Sequence, residues 1–550
     1  MGRVPIPSEL RDAAGWYWLL DLTWGGRVFH FADRDVESVT AADPGVVARY
    51  VDALVVENVT DSMALFELAP TYRSVAVQLF GLPDLNVALR SGQGLDGTDA
   101  TGIVRLWADT GTTAGVTVWT IRGRVREMAY GAPGEPIEFT LRETWAEDTG
   151  RIPGPTARVD ATTWPNRDSA RDGVYYPWVI GQPGSVGPRG ATPGLVVDTT
   201  ALAGRLLIAG HHCAATTVTI RDVSASVSMG GMAVVNTVDG LGNQVALVNR
   251  SGGPPAMEFT AGTEYWVAWD AGGGMIGPDG ATALRGLGDV VRHFLRLTAS
   301  LAVDWARLIP WAAGANHLKI DGYLQATDER LRPSDWLRSV VLPLAPASVR
   351  WSDVGTYLVP WRYEATADDA VARLVAQAPG TGGRLPGAAG LTRISGAKWS
   401  PYDEVANEWL FRFRRSFSDS YLTQILLTGH DATLREDTTA IRDWYCATSE
   451  ALYGWRARDM TSDVVWDAAT AAAVVGWLKR RWGLPTRTVS YVGGPWFGAL
   501  SPGDVVAMTD ADIGWTEKVC MVDAVGLGSS KEVRLDLRTI ENPPSEALVL

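Results

Sequence analysis

The chain has 550 residues, too many for one hydrophobic core and enough for three or four domains. Its 46% hydrophobic and 20% charged residues give the balance of an ordinary soluble globular protein. A net charge of −13 argues against a nonspecific nucleic-acid binder, which needs a basic surface.

Tryptophan, at 24 copies, outnumbers both tyrosine (15) and phenylalanine (11). Its large apolar area and polar N–H suit cores and permanent protein contacts, although a GC-rich codon bias produces the same excess. Cys213, Cys446 and Cys520 are scattered and odd in number, which fits neither a disulfide framework nor a zinc module. The opening MGRVPIPSELRDAAG lacks a basic-then-apolar signal, and no apolar run approaches the ~20 residues of a membrane span. The expectation is a protein made in a reducing cytoplasm and kept there or packaged from it.

Residues 20–150 read as β-rich. VTVWTIRGRVREM has a strand pattern with Gly123 as a bulge or bend. IEFTLRET sets Ile137, Phe139 and Leu141 against Glu138, Thr140 and Arg142, a half-buried strand of period two. Over 150–195 the composition turns to Pro, Gly and Arg, a linker interrupted by the apolar VYYPWVIG. Short strands between glycine turns return over 196–270.

Helices follow. Asp289 caps a helix with the apolar face Val290, Phe294, Leu297 and Leu301. Ser334 starts a second, which Pro343 stops. Thr366 and Asp369 form a capping box for a third, ended by Pro379-Gly380. The fourth is the best marked: Asp467 opens it, Ala471, Val475, Leu478 and Trp482 form its stripe, and Gly483 with Pro485 ends it. Lys479, Arg480 and Arg481 are cations at that helix's C-terminus. Strands VSYV, GDVVAMTD and EVRLDLRTIEN close the chain.

An internal similarity links the two ends. Residues 102–144 and 503–540 each run as a Gly-started apolar strand, a polar turn, a longer strand, a Gly hairpin and a strand ending in Leu-Arg. They read as two copies of one small barrel.

Candidate chemistry is sparse. Gly272, Gly274 and Gly277 in AGGGMIG match the dinucleotide spacing, but Pro278-Asp279-Gly280 follows where that motif opens a helix, so a hairpin is expected. His211-His212-Cys213 is the densest set of soft ligands, yet strand neighbours point to opposite faces, so a packed strand with one buried and one exposed histidine is expected. Asp403, Glu404 and Glu408 offer carboxylates for glycoside hydrolysis without setting the two-carboxyl geometry, and strand-edge acids are expected. Asn58-Val59-Thr60 is a glycosylation sequon by pattern alone. No catalytic, cofactor-binding or metal residue is assigned, and no cofactor is expected.

The order of pieces resembles one family. WYCATSEALYGW, the helix DAATAAAVVGWLKRRWG and the closing strands form its C-terminal block. GVYYPWVIG, the DGY of LKIDGYLQATDERL, the LPL at 342–344, and Asp403, Glu404, Val405 and Asn407 in DEVAN follow the family's order. This resembles the tail tip or baseplate hub proteins of long-tailed, siphophage-like bacteriophages and gene-transfer particles. The resemblance implies a mixed β and α+β multidomain chain. Two small antiparallel β-barrels, N- and C-terminal, would flank α+β middle domains and assemble as a ring-like homotrimer. The implied layout is an N-terminal barrel over 1–150, a linker with VYYPWVIG over 151–195 and a β-rich domain over 196–270. An α+β domain over 271–400 would precede a strand, helix and barrel over 401–550.

Such a hub is a non-enzymatic structural protein of the virion tail tip, assembled in the host cytoplasm. It joins the six-fold tail tube to the three-fold tip and takes part in host attachment and channel opening. Its implied partners are the distal tail protein ring, the tail tube, the tape-measure protein and fibre or spike proteins. Phage DNA would pass through without specific binding. Lambda-like hubs continue into receptor-binding extensions, whereas this sequence ends at ENPPSEALVL, so receptor contact is expected from another protein. The alternative is a tail-associated hydrolase of host polysaccharide or peptidoglycan. A third reading is a carbohydrate-binding β-protein using exposed tryptophans.

Overall fold

The computed structural model describes Leu10 and residues 13–540 apart from 42–44, 58, 63–73, 83–99, 131, 133, 144–150, 184–191, 202, 226, 250–257, 298–301, 325–329, 346, 352–353, 362–364, 378–389, 401, 417–419 and 427–443. The first ten strands are β1 (Gly15–Trp24), β2 (Arg27–Ala32), β3 (Val36–Val39), β4 (Val47–Asp52), β5 (Leu54–Val56), β6 (Val59–Ser62), β7 (Ser74–Leu79), β8 (Thr101–Asp109), β9 (Val116–Tyr130) and β10 (Ile137–Glu143). Nine of them form one sheet in the order β3-β4-β2-β1-β8-β9-β10-β7-β5.

Only Ala53 separates β4, next to one end of that order, from β5 at the other. The Ala53 N–H donates to the Ala32 carbonyl and the Phe80 N–H donates to the Ala53 carbonyl, both at 2.9 Å. Residues 47–56 thereby bring the two ends of the sheet together around its core. The arrangement differs from a plain antiparallel barrel, because β4 meets β2 in parallel. Alternation along β1 explains the two faces. Trp18, Leu20, Leu22 and Trp24 enter the main core, whereas Leu19 joins Ala32, Tyr50 and Trp107 on the other face.

In β10, Ile137, Phe139 and Leu141 are buried, as the alternation requires. Gly123 is not at a bulge; the register shifts fall at Leu106/Trp107 and Glu138/Thr140. It serves a close crossing, since a Cβ there would lie 2.3 Å from the Arg142 carbonyl oxygen. Replacing Gly123 with alanine is expected to lower stability by about 2–3 kcal/mol, read as a drop in the thermal midpoint.

β11 (Trp178–Ile180) leads to a second unit of β12 (Thr192–Asp198), β13 (Arg205–Ala209), β14 (Thr217–Asp222), β15 (Val227–Val238), β16 (Gln244–Asn249) and β17 (Tyr265–Ala271). These six close as a barrel in the order β12-β13-β16-β15-β14-β17. A helical layer follows, with α1 (Leu287–Leu297) and α2 (Trp305–Ala315). Val290 and Phe294 of α1 are buried and Leu297 packs beside them; Leu301 lies outside the described residues. Asp289 sits inside the first turn instead of capping it, and its N–H donates to Asn316 Oδ1. The sequence reading missed α2, which Asp304 caps by accepting the Arg307 N–H at 3.2 Å.

β18 (Gly322–Leu324) comes next, then a helical stretch over 333–344 that starts at Pro333, one residue before Ser334, and carries Pro343 within its last turn. β19 (Ala347–Trp351) and β20 (Thr356–Pro360) form a hairpin. The Thr366–Asp369 capping box exists, but it closes only the 3-10 turn Ala367–Asp369. The expected third helix is instead the strand β21 (Ala372–Gln377). Leu374, 1% exposed, enters a barrel core there, and ladder pairing outweighs the local helix signal.

The remaining strands are β22 (Gly390–Arg393), β23 (Lys398–Trp399), β24 (Glu408–Ser416), β25 (Ser420–Leu426), β26 (Ala457–Thr461), β27 (Arg487–Gly493), β28 (Val505–Asp510), β29 (Trp515–Leu527) and β30 (Val533–Thr539). The sheet β22-β21-β28-β29-β30-β27 closes on itself through β22–β27. This C-terminal barrel is not wholly antiparallel, because β21 runs parallel to both β22 and β28. Helices α3 (Trp444–Tyr453) and α4 (Ala468–Trp482) accompany β24–β26. Asp467 caps α4 by accepting the Thr470 N–H at 2.8 Å, and Ala471, Val475, Leu478 and Trp482 are buried. Lys479, Arg480 and Arg481 occupy its last turn.

Candidate functional site

The two terminal β-units share a topology. Ranked by position in the chain, β1, β5, β7, β8, β9 and β10 are laid out as first-fourth-fifth-sixth-third-second. β21, β22, β27, β28, β29 and β30 follow the same order. At the centre of each is an antiparallel meander, β8-β9-β10 or β28-β29-β30, around a long strand of 15 or 13 residues. In both, a register shift falls in each of the two ladders. Two differences separate them. β1 is antiparallel to β8 whereas β21 is parallel to β28, and β2 with β4 intervene where β21 meets β22 directly.

The barrels are also joined to each other. One hydrophobic cluster runs from Trp18 and Leu141 to Tyr491 and Leu537 without a break. β6 leaves the N-terminal unit and pairs antiparallel with β29, Val59 opposite Leu527 and Ser62 opposite Ala524. At the β29–β30 turn, Lys531 Nζ lies 2.6 Å from Asp33 Oδ2 and from the Trp16 carbonyl oxygen, and 5.7 Å from the Tyr17 ring centre.

Each terminal unit carries a buried, paired set of charged groups. In the first, buried Asp21 accepts from Tyr50 Oη at 2.6 Å and from the Ala41 N–H at 2.8 Å, and meets His30 Nδ1 at 2.7 Å. Arg105 donates to Tyr50 Oη at 2.7 Å and stands 3.5 Å from Asp21 Oδ2. Burial, against the opposing pull of Arg105, pushes the Tyr50 phenol above its ordinary pKa. In the second, Tyr491 donates to Asp510 Oδ2 at 3.0 Å beside Arg393, and Arg538 donates to Asp523 Oδ2 at 2.6 Å. Sequence reading passed over these groups; the signal for Asp21 is a lone acid inside the apolar WYWLLDLTW.

The segments GVYYPWVIG and DGY meet in space. β11 pairs with β18, Trp178 opposite Leu324 and Ile180 opposite Gly322. Asp321 is fully buried; it accepts from Arg285 Nε at 2.6 Å, from Arg285 Nη2 at 2.9 Å and from the Gln182 N–H at 2.7 Å. AGGGMIG threads the same junction, with the Met275 N–H donating to the Val179 carbonyl. A Cβ on Gly274 would lie 2.3 Å from that carbonyl oxygen, so these glycines serve backbone approach. The segment opens no helix; a turn follows, and α1 begins only at Leu287.

His211 is buried and His212 half-buried, in a turn after β13 instead of within a strand. His211 Nε2 accepts the Val179 N–H at 2.9 Å and its Nδ1 lies 3.0 Å from the His212 carbonyl oxygen. Burial brings its pKa down to about 4, and burial also raises the neighbouring Cys213 thiol. Among the described residues, no group of three or more His, Cys, Asp or Glu stands ready to hold a metal ion.

The three carboxylates have separate partners. Asp403 is exposed, Glu404 stands 3.8 Å from Arg538, and Glu408 is buried against the Trp455 indole N–H. Asn407 ties its strand to the following elements, donating to Ser449 and Gly454 and accepting the Arg456 N–H. An apolar cleft of about 230 Å³ beside Trp178, Leu331 and Trp336 has Asp463 as the one carboxylate among the described residues of its lining. Asn58 lies outside the described residues, while Val59 and Thr60 begin β6. Cys213 and Cys520 are buried free thiols, and the Cys446 side chain lies outside the described residues. Among the described residues, no helix is long and apolar enough to cross a membrane.

No protein-family model matches this chain, and no curated protein sequence does. Solved structures similar to it include the tail protein from Neisseria meningitidis MC58, at 10% identity and a TM-score of 0.39 over 96% of this chain and 97% of that one. The 43 kDa tail protein of prophage MuSo2 from Shewanella oneidensis is 7% identical, with a TM-score of 0.38 over 95% and 98%. A chain of the virion of a native gene transfer agent particle is 13% identical, with a TM-score of 0.38 over 72% and 91%.

Proposed function

We propose that this chain is a structural hub of a siphophage-like tail tip, acting as a homotrimer on the tail axis. The observation that supports this reading is the pair of terminal barrels with one strand order, packed side by side in one chain. A three-fold object binds a six-fold tube with every site used only if each chain presents two near-equivalent surfaces. Three chains with two barrels each meet that condition. The sequence order that resembles tail hubs points the same way: GVYYPWVIG and DGY, apart in the chain, are partners in one ladder.

In this role the work is mechanical. The barrels would face the tail tube and distal ring, and the middle units would dock fibre- or spike-bearing proteins and the tape-measure protein. The net charge of −13 suits a lumen that does not retain DNA. Mass measurement of the purified protein, alone and within tail particles, is expected to give three copies. A single copy in an intact particle would overturn the reading.

A further inference from the structure

We infer that Glu135, just before β10 of one chain, docks on the outer face of β21 of a second copy, meeting Arg373 beside Val375. The inference rests on the trimeric ring reading and specifies its chain-to-chain junction.

The argument starts from the junction already inside the chain. There the β29–β30 turn of the C-terminal barrel reaches the N-terminal barrel at Tyr17, with Lys531 above the ring and paired to Asp33. In a ring of alternating barrels, each junction within a chain is followed by one between chains. Two near-equivalent barrels arranged head to tail repeat the same contact with the roles exchanged. The N-terminal barrel then offers its own meander turn, and the C-terminal barrel offers its counterpart of Tyr17.

Ladder register identifies both counterparts. Tyr17 lies opposite Trp107, one residue beyond the buried pair Trp18–Leu106. Val375 lies opposite Thr509, one residue beyond the buried pair Leu374–Met508. At the turns, Ile137 opposite Tyr130 matches Val533 opposite Leu527, and Ile137 and Val533 are both fully buried. Two residues before each stand Glu135 and Lys531.

The surfaces fit the assignment. Val375 is 44% exposed, an apolar side chain on the outside of an otherwise well-filled barrel. Arg373 shares that face, pairs with Glu517 and remains 59% exposed. Where the inner junction sets Lys531 against Asp33, the outer one sets acidic Glu135 against basic Arg373. The reversal of sign also prevents a chain from using the wrong turn at the wrong barrel.

The test uses the full chain. Arg373→Glu and Glu135→Arg are each expected to raise the concentration needed for three-chain assembly by at least about tenfold, and the double variant to restore it. Unfolding profiles should match the wild type, because both positions are exposed. A second variant, Glu135→Cys with Val375→Cys, is expected to give covalently joined chains under mild oxidation. A trimer that persists in all variants and gives no cross-link would overturn this junction and leave the trimeric reading standing. A wild-type protein that is monomeric both alone and in the particle would remove both.

Discussion

Replacing Asp21 with alanine is expected to lower stability by about 3–5 kcal/mol, because it strands a buried cation. The Arg105 side chain is 4% exposed, and Tyr50 Oη and the Ala41 N–H lose their acceptor together. These groups come from β1, β4, β8 and the loop before β4, so the cluster ties β4 to the middle of the N-terminal sheet. Urea unfolding followed by tryptophan fluorescence measures the effect, since Trp18 and Trp107 are buried in that unit. Asp21→Asn keeps acceptor oxygen for Tyr50 and removes the charge opposing Arg105, so an intermediate loss is expected. Equal losses in the two variants would show that the charge carries the whole effect and the acceptor oxygen little of it.

Stability is also expected to fall by about 3 kcal/mol as pH drops from about 6.5 to about 4, through His211. The unfolded chain takes up a proton near the ordinary histidine pKa of 6.5, whereas the buried folded imidazole resists it until about 4. Between those values the unfolded state binds more protons, so acid favours unfolding. Above 6.5 both states are neutral and the contribution is nil. His293, lowered by burial and then by Arg296, acts in the same direction. Burial raises Asp239, but hydrogen bonds from Asn243 and Tyr176 outweigh it and hold it below the usual carboxylate value. Its loss therefore comes at lower pH than that of His211. His211→Gln keeps an acceptor for the Val179 N–H and is expected to flatten the acid limb. An unchanged slope between pH 6.5 and 4 would refute the assignment.

The features legible in the sequence were those written locally. Asp467 with the spacing of Ala471, Val475, Leu478 and Trp482 fixes α4, because a cap and a stripe need only one segment. The alternation of Ile137, Phe139 and Leu141 fixes β10 for the same reason. What stayed hidden depends on partners far away in the chain. The capping box at Thr366 is real, yet β28 recruits the following residues as a strand. Closure of the first sheet through Ala53 leaves no periodic trace. GVYYPWVIG and DGY were legible as separate motifs, but their pairing was not, since a short apolar segment says nothing of a strand over a hundred residues later. Asp21 was readable as an anomaly and its partners were not, because His30, Tyr50 and Arg105 converge only in three dimensions.

The β6 strand has a consequence for how the molecule is made. Its partner β29 is almost the last part of the chain to be synthesised. At ribosomal rates of roughly 5–20 residues per second, β6 waits on the order of tens of seconds for that partner. During this interval it is an unpaired strand next to a growing polypeptide, the kind of edge that recruits other chains. Its sequence VTDS carries an acid and two hydroxyl residues in four positions, which makes the waiting edge a poor template for aggregation. Once β29 arrives, the first and last parts of the chain are stitched together. Loss of β29 then leaves β6 without its ladder, and loss of β6 uncovers part of β29.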